Sequence, residues 1–319
     1  MFLSEVEKVE FTSIVDNTVD ILLPSSEIAV RPRLSLGWHA RPQLIAEHGF
    51  STLVSVEVEG KRRTILFDTG LEPMTAVHNA EALGIDLSAC EGLVLSHGHI
   101  DHAAGLQNMK RKLGSRKLPL MLHPYAFRKR MVILNDGSTW DMPPPERTPL
   151  EAAGYQIVEK NDSSLLLDGA ALLTGQIDRT TDFEKGLPVH YAEVEGKLEK
   201  DPLILDDQAL VMNLKGKGLI VLTGCGHAGL INTIHHAQAV TGISEVYSVM
   251  GGMHLTGGLF EPIIPRTISE LKSINPSIAI PCHCTGWKAV HEVARHLPNA
   301  FIQNSVGTKY VFAAKSMTC

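Results

Sequence analysis

The sequence predicts an α/β protein in which helices cover β-sheet, on three observations. From residue 209 onward, apolar strand-like runs alternate with loops and helical stretches, the order typical of layered α/β folds. Residues 52–58 and 63–67 are two β-rich runs separated by Glu59-Gly60-Lys61, which is a hairpin signal. Hydrophobic residues make up 44% of the 319 positions, enough for a sizeable core. The length exceeds the usual single domain, but some α/β folds run this long as one unit. Residues 1–319 are therefore read as one domain, with 123–200 as an insertion or lid.

Residues 7–19 alternate like a strand and end in the polar turn Asp16-Asn17-Thr18. Residues 22–50 are rich in Pro, Gly and Arg without a clean period, which predicts a long loop with a short helix near 41–48. After the hairpin, residues 74–83 fit a helix closed by Gly84 at its C′ position. Residues 92–96 form a short buried strand, 103–113 a helix, 118–122 another strand and 125–131 a basic helix after His123-Pro124. Residues 135–188, with Asp-Gly and Pro-Pro-Pro, read as loop-rich. Strands follow at 209–214 and 218–222, then a helix to about 240 and a strand at 245–249. A helix at 263–273, a strand at 278–280, a helix at 288–296 and a strand at 308–312 complete the chain. The second half echoes the first: Ile65-Leu66-Phe67-Asp68-Thr69-Gly70 against Ile220-Val221-Leu222-Thr223-Gly224-Cys225.

A net charge of −6 argues against a general nucleic-acid binder. A small phosphorylated substrate stays compatible with it, because a metal supplies positive charge locally. Residues 1–10 lack a basic segment followed by an apolar one, and no apolar run reaches the roughly 20 residues of a membrane span. These features predict a soluble cytoplasmic protein without a membrane partner. The five cysteines are Cys90, Cys225, Cys282, Cys284 and Cys319. An odd number, with two of them one residue apart, is no disulfide framework; free thiols are expected.

Chemistry concentrates in Ser96-His97-Gly98-His99-Ile100-Asp101-His102, directly after Gly92-Leu93-Val94-Leu95. Imidazole nitrogens and a carboxylate oxygen are the usual ligands of Zn²⁺ and related ions. Buried and unpaired, the same groups would each cost free energy. His97 and His99, two apart at a strand end, face the same side. Gly98 removes a side chain where the backbone must turn, and Asp101 and His102 fall in the following turn. One cluster can thus serve two adjacent metals.

His-x-His-x-Asp-His after an apolar strand resembles the metallo-β-lactamase superfamily, and Asp68-Thr69-Gly70 at a strand end matches it too. The resemblance implies a four-layer αββα sandwich with the site at one edge of the two sheets. It also implies two divalent metal ions, with zinc preferred and Mn²⁺ or Fe²⁺ as alternatives. His97 and His99 would hold the first, and Asp101 and His102 the second. His227, in Thr223-Gly224-Cys225-Gly226-His227-Ala228-Gly229, would be the third ligand of the first metal. His283, in Cys282-His283-Cys284, would complete the second. Cys282 and Cys284 would point away from His283 and are read as core thiols.

The chain departs from the family at Gly224-Cys225, where many members carry Gly-Asp and the Asp bridges the metals. Cys225 is read as a thiolate ligand, a substrate contact or a small buried residue; a thiolate would favour zinc over manganese or magnesium. In Gly251-Gly252-Met253-His254-Leu255 the paired glycines permit close approach of a ligand. His254 there is a candidate substrate partner, proton donor or extra ligand. Asp68 is expected to orient a metal-bound imidazole, fixing its tautomer.

Asp16-Asn17, Phe67-Asp68-Thr69-Gly70, Thr174-Gly175-Gln176-Ile177 and Asp206-Asp207-Gln208-Ala209-Leu210 narrow the resemblance. They are similar to the superfamily branch named for 7,8-dihydropterin-6-methyl-4-(β-D-ribofuranosyl)aminobenzene-5′-phosphate synthase activity. The superfamily implies a hydrolase, in which metal-bound hydroxide attacks a phosphoester and Asp101 and His254 take catalytic roles. The branch implies the alternative, a transferase joining a dihydropterin diphosphate to an arylamine ribose phosphate with release of diphosphate. Arg128, Lys129, Arg130 and Arg179 offer charge for an anionic substrate, and Trp287 and Lys288 are expected to stack a ring and hold a phosphate. Di-iron redox members carry an acidic residue where this chain has His99, which argues against redox chemistry.

Overall fold

In the computed structural model, which describes residues 1–32 and 43–314, two large sheets lie face to face. One has the order Tyr155–Glu159, Leu118–Leu122, Leu93–Val94, Lys61–Phe67, Ser51–Val58, Lys8–Val15, Lys309–Ala313 and Ala29–Val30. The other runs Ser164–Leu166, Ala171–Leu173, Ala209–Leu214, Gly218–Thr223, Val246–Gly252 and Ile278–Cys282, with Glu5–Val6 also pairing with Ala209–Leu214.

Strand alternation sorts side chains into three cores. On Ser51–Val58, Val54 and Val56 enter the core between the sheets, whereas Leu53 joins an outer one. On Gly218–Thr223, Ile220 and Leu222 point inward, and Leu219 and Val221 meet helices Leu230–Thr241 and Ile264–Ile274 through Ile234, Ile268 and Leu271. Helices Thr75–Ala82 and Leu106–Lys112 cover the first sheet through Ala76, Ala80, Leu106 and Met109. Three cores separate four layers, αββα. Each fully buried Leu, Ile, Val or Phe contributes about 1.5–3 kcal/mol, so the pattern of alternation fixes which face each strand turns inward.

The two sheets repeat one plan. Ser51–Val58 and Lys61–Phe67 form an antiparallel hairpin, after which Leu93–Val94 and Leu118–Leu122 add in parallel. Ala209–Leu214 and Gly218–Thr223 do the same before Val246–Gly252 and Ile278–Cys282. The hairpin turn carries positive φ at Glu59 and Gly60, the geometry of a tight two-residue connection.

The middle region differs from its loop-rich reading. Residues 125–131 are not a basic helix. His123 accepts the Tyr125 N–H and starts a single turn at Pro124–Phe127, and Arg130–Ile133 is a strand. The Arg130 side chain is buried against Asp206 at 2.5 Å, which a solvated helix face would not permit. Residues 123–200 supply three structures. Tyr155–Glu159 edges the first sheet, and Ser164–Leu166 with Ala171–Leu173 edges the second. Arg130–Ile133, Thr139–Met142, His190–Val194 and Lys197–Lys200 make a separate antiparallel sheet. The helix expected near 41–48 is absent from 43–48, where the chain is irregular; its first two residues and Cys319 lie outside the described residues. Among the described residues, no helix is long and apolar enough to cross a membrane.

Candidate metal centre

The parallel strands of both sheets end on one cluster. Asp68 follows Lys61–Phe67, His97 and His99 follow Leu93–Val94, His227 and Cys225 follow Gly218–Thr223, His254 follows Val246–Gly252, and His283 follows Ile278–Cys282. Asp68, His254 and His283 all have φ between 43° and 59°. Non-glycine residues rarely adopt this left-handed conformation, and such strain collects where side chains must be aimed.

His97, His99 and His227 form an all-nitrogen pocket. His227 Nε2 lies 3.2 Å from His97 Nε2 and 3.2 Å from His99 Nδ1. Nitrogens bound tetrahedrally to zinc at about 2.0–2.1 Å would sit about 3.3 Å apart, so the spacing fits a shared cation. Burial, reinforced by neighbouring imidazoles, holds all three pKa values well below the ordinary range, which keeps them neutral as ligands must be.

His99 is oriented by a residue that the sequence did not single out. His190 Nδ1 donates to the Asp201 carbonyl at 2.8 Å, leaving its Nε2 as an acceptor 3.1 Å from His99 Nε2. His99 therefore carries its proton on Nε2 and turns the Nδ1 lone pair to the pocket. Burial pushes the His190 pKa down to about 4, consistent with a neutral ring. His190 comes from the separate sheet, 91 positions from His99, and no motif spacing connects the two.

Asp101, His102, Cys225 and His283 form a second, mixed pocket, their ligand atoms all within 4.8 Å of one another. His283 Nε2 is 3.2 Å from Asp101 Oδ2, and His102 Nε2 is 3.2 Å from Cys225 Sγ. His102 Nδ1 donates to Asp68 Oδ2 at 2.6 Å, and Asp68 also accepts the Ser96 N–H and hydroxyl at 2.7 Å each. His283 Nδ1 donates to Asn17 Oδ1 at 3.2 Å, and its N–H to Asp16 Oδ1 at 2.7 Å. Burial lowers the His102 pKa, but Asp101 and Asp68 outweigh it and push it up to about 9. Burial opposes ionisation of Asp101, yet His102 and His283 prevail and hold its pKa far below the usual range. Cys225 also groups with His227 and His254, so it stands between the pockets.

Asp206-Asp207-Gln208 ties the site loops together. Asp206 accepts the Gly98 N–H at 2.8 Å, Asp207 accepts the Ala228 N–H at 2.7 Å, and Gln208 donates to the Leu95 carbonyl at 3.0 Å. Gly98 is required where it stands, since a Cβ there would lie 2.1 Å from the Ala126 carbonyl.

His254 packs on His227 with ring centroids 4.1 Å apart. His48, also unflagged by the sequence, lies 3.8 Å from Asp101 and packs against His283 with the rings tilted by 36°. Arg179 donates to the His227 carbonyl, and Arg130 is bound to Asp206, so both brace the site from within. Arg128 lies over Tyr125. Trp287 is 74% exposed against His291, and Lys288 is paired with Glu261, so neither is among the clustered side chains. Cys282 and Cys284 are buried, and the Cys284 thiol donates to the Cys225 carbonyl at 3.1 Å.

A family model described as the metallo-β-lactamase superfamily matches residues 48–163. The 7,8-dihydropterin-6-methyl-4-(β-D-ribofuranosyl)-aminobenzene-5′-phosphate synthase of Methanocaldococcus jannaschii is 30% identical over 250 residues, covering 76% of this chain and 83% of that one. A second protein of that organism, MJ0448, is 30% identical over 273 residues, covering 84% and 94%. Tm1679, described as a metal-dependent hydrolase of the β-lactamase superfamily, superposes with a TM-score of 0.71 at 22% identity, covering 96% of this chain and 100% of its own. With its four layers and its histidine-rich centre at the strand ends, the chain belongs to the metallo-β-lactamase superfamily.

Proposed function

We propose that the protein is a metal-dependent hydrolase of a small phosphoester, with two divalent cations held by His97, His99 and His227 and by Asp101, His102, Cys225 and His283. The observation that carries this reading is the adjacency of two donor sets, with Cys225 of the mixed set also grouping with His227 of the other. Cations bound there supply Lewis acidity, placing positive charge against a phosphoryl oxygen and acidifying a coordinated water. Zinc suits the donor set best, because a thiolate and imidazoles are softer than the all-oxygen sets that magnesium and manganese prefer.

The chain's own residues supply position and proton traffic. Asp68, Asn17 and His190 each accept from one nitrogen of a ligand imidazole, so the other nitrogen is the one aimed at the cation. Asp101 is the most exposed of the proposed ligands, with a 15% accessible side chain beside the half-exposed His48. It is the carboxylate placed to orient an attacking water by accepting its hydrogen bond. His254 borders the cavity next to His227 and is the candidate donor to the departing oxygen.

A second reading, a transferase releasing diphosphate while an arylamine attacks carbon, is favoured by the 30% identity to the named synthase. The same cations would then hold the leaving diphosphate. Metal analysis of protein purified without added metal, followed by assay with bis(p-nitrophenyl) phosphate, separates the two. Metal-dependent ester turnover supports the hydrolase. No ester turnover, with diphosphate release from a pterin diphosphate plus an arylamine, would overturn it in favour of the transferase.

A further inference from the structure

Beside the metal centre lies a cavity of about 300 Å³ that the phosphoester reading leaves unused. Its walls are Phe183, Met253, Leu255, Leu259, Phe260 and Ile263. On the metal side it is closed by His227 and His254. Ligand sites span about 300–1,000 Å³ and are mostly apolar with a few placed polar groups. This one sits at the small end, large enough for a one- or two-ring group.

Polar groups at the cavity narrow the occupant further. His227 is 5% exposed; its Nε2 faces His97 and His99, while its Nδ1 has no hydrogen-bond partner among the described residues. In the tautomer that frees Nε2 for a cation, that unpartnered Nδ1 carries the proton. Glu184, also at the cavity, has both oxygens engaged by the backbone N–H groups of Ile231 and Asn232. Lys185 is exposed at the same cavity and makes no ion pair among the described residues, so it favours an anionic substrate. Phe260 meets His254 edge-on at 4.4 Å, which ties the aromatic wall to the proposed proton donor.

We infer that this cavity receives the aromatic or heteroaromatic ring of the substrate. The substrate class is thus an aryl- or heteroaryl-bearing phosphoester, not an aliphatic one. This inference rests on the phosphoester reading for the position of the phosphorus, but the ring site can be tested separately.

The probes are phenylphosphonate and methylphosphonate, titrated calorimetrically into zinc-loaded protein. Phenylphosphonate should bind at least about tenfold more tightly, since even one methylene in a fitted apolar pocket is worth tenfold or more. Phe260→Ala should collapse that ratio. If this variant fails to fold, Leu259→Trp, at an exposed rim position, should weaken phenylphosphonate by filling the cavity. Equal affinities in the wild-type protein would overturn the ring site and leave the phosphoester reading standing. If neither phosphonate binds, the phosphoester reading fails, and titration with phenol decides the cavity alone. Saturable shifts of the Met253 and Ile263 methyl resonances would uphold the ring site, and their absence would overturn it.

Discussion

The all-nitrogen and mixed pockets adjoin each other but treat a cation in opposite ways. His97, His99 and His227 are held neutral by burial, so this pocket is ready to bind but cancels none of the ion's charge. Asp101 and Cys225 can offset the charge, but at a proton cost. His102 holds its proton up to about pH 9, and burial raises the Cys225 thiol well above its ordinary value. A cation must displace those protons on entering. Preorganised neutral donors and charge-compensating donors are thus divided between two sites that share the loop Gly224–Gly229.

Removing a nitrogen ligand is the hardest blow to this division. His227→Ala or His97→Ala should lower bound metal by about one equivalent and cut metal-dependent turnover by several orders of magnitude, because the Lewis acid itself is lost. Elemental analysis beside the assay checks this. Full metal occupancy in His227→Ala would dissolve the nitrogen pocket as described.

Cys225 tests whether the pockets meet at a thiolate. Cobalt-substituted protein should show an intense near-ultraviolet thiolate-to-cobalt absorption that Cys225→Ser abolishes. Cys225→Asp should shift the preference from zinc toward manganese, since a carboxylate is the harder ligand. Identical cobalt spectra for Cys225→Ser and the wild type would leave Cys225 as packing only.

The supporting residues should act on separate pockets. His190→Phe keeps ring volume but removes the acceptor for His99, whereas His190→Gln retains one. The Phe variant should weaken the nitrogen-pocket cation by about 10–100-fold, with Gln restoring most of it. Asp68→Asn should do comparable harm to the mixed pocket through His102. Chelator competition against each site measures this. Equal loss from both pockets in either variant would mean that the two are one mechanical unit.

Legibility in the sequence follows contact distance along the chain. The hairpin, the strands at Leu118–Leu122 and Ala209–Leu214 and the helices that close on glycine or proline signals depend on neighbouring residues, and they were readable. The 96–102 cluster was readable for the same reason. The basic run at 128–130 misled because Arg130 is claimed by Asp206, 76 positions away. The edge strands Tyr155–Glu159 and Ser164–Leu166 are short and bounded by turns, so only their partner strands define them. His190 and the hold of Asp16 on His283, 267 positions apart, have no local pattern at all. The weak repeat of Ile65–Gly70 in Ile220–Cys225 corresponds to equivalent strands of the two sheets, and its divergence puts Asp68 behind His102 and Cys225 between the pockets.

The smallest expected effect concerns the brace of the shared loop. Asp207 is fully buried and accepts the Ala228 N–H, one residue beyond His227. Burial outweighs that hydrogen bond and the nearby Arg179, pushing its pKa up to about 7 from an ordinary 3.8. Below the unfolded value both states hold the proton, and Asp207 imposes no penalty. As pH rises from about 4 to 7 the unfolded chain ionises first, so stability falls, and above 7 the penalty is constant. Asp207→Asn cannot ionise yet keeps an acceptor for Ala228. Its melting temperature should match the wild type near pH 4 and exceed it by a few degrees at pH 8, in metal-free protein. A difference that stays flat across that range would show that Asp207 is ionised throughout, and that the shared loop is braced by charge instead of by a neutral carboxyl.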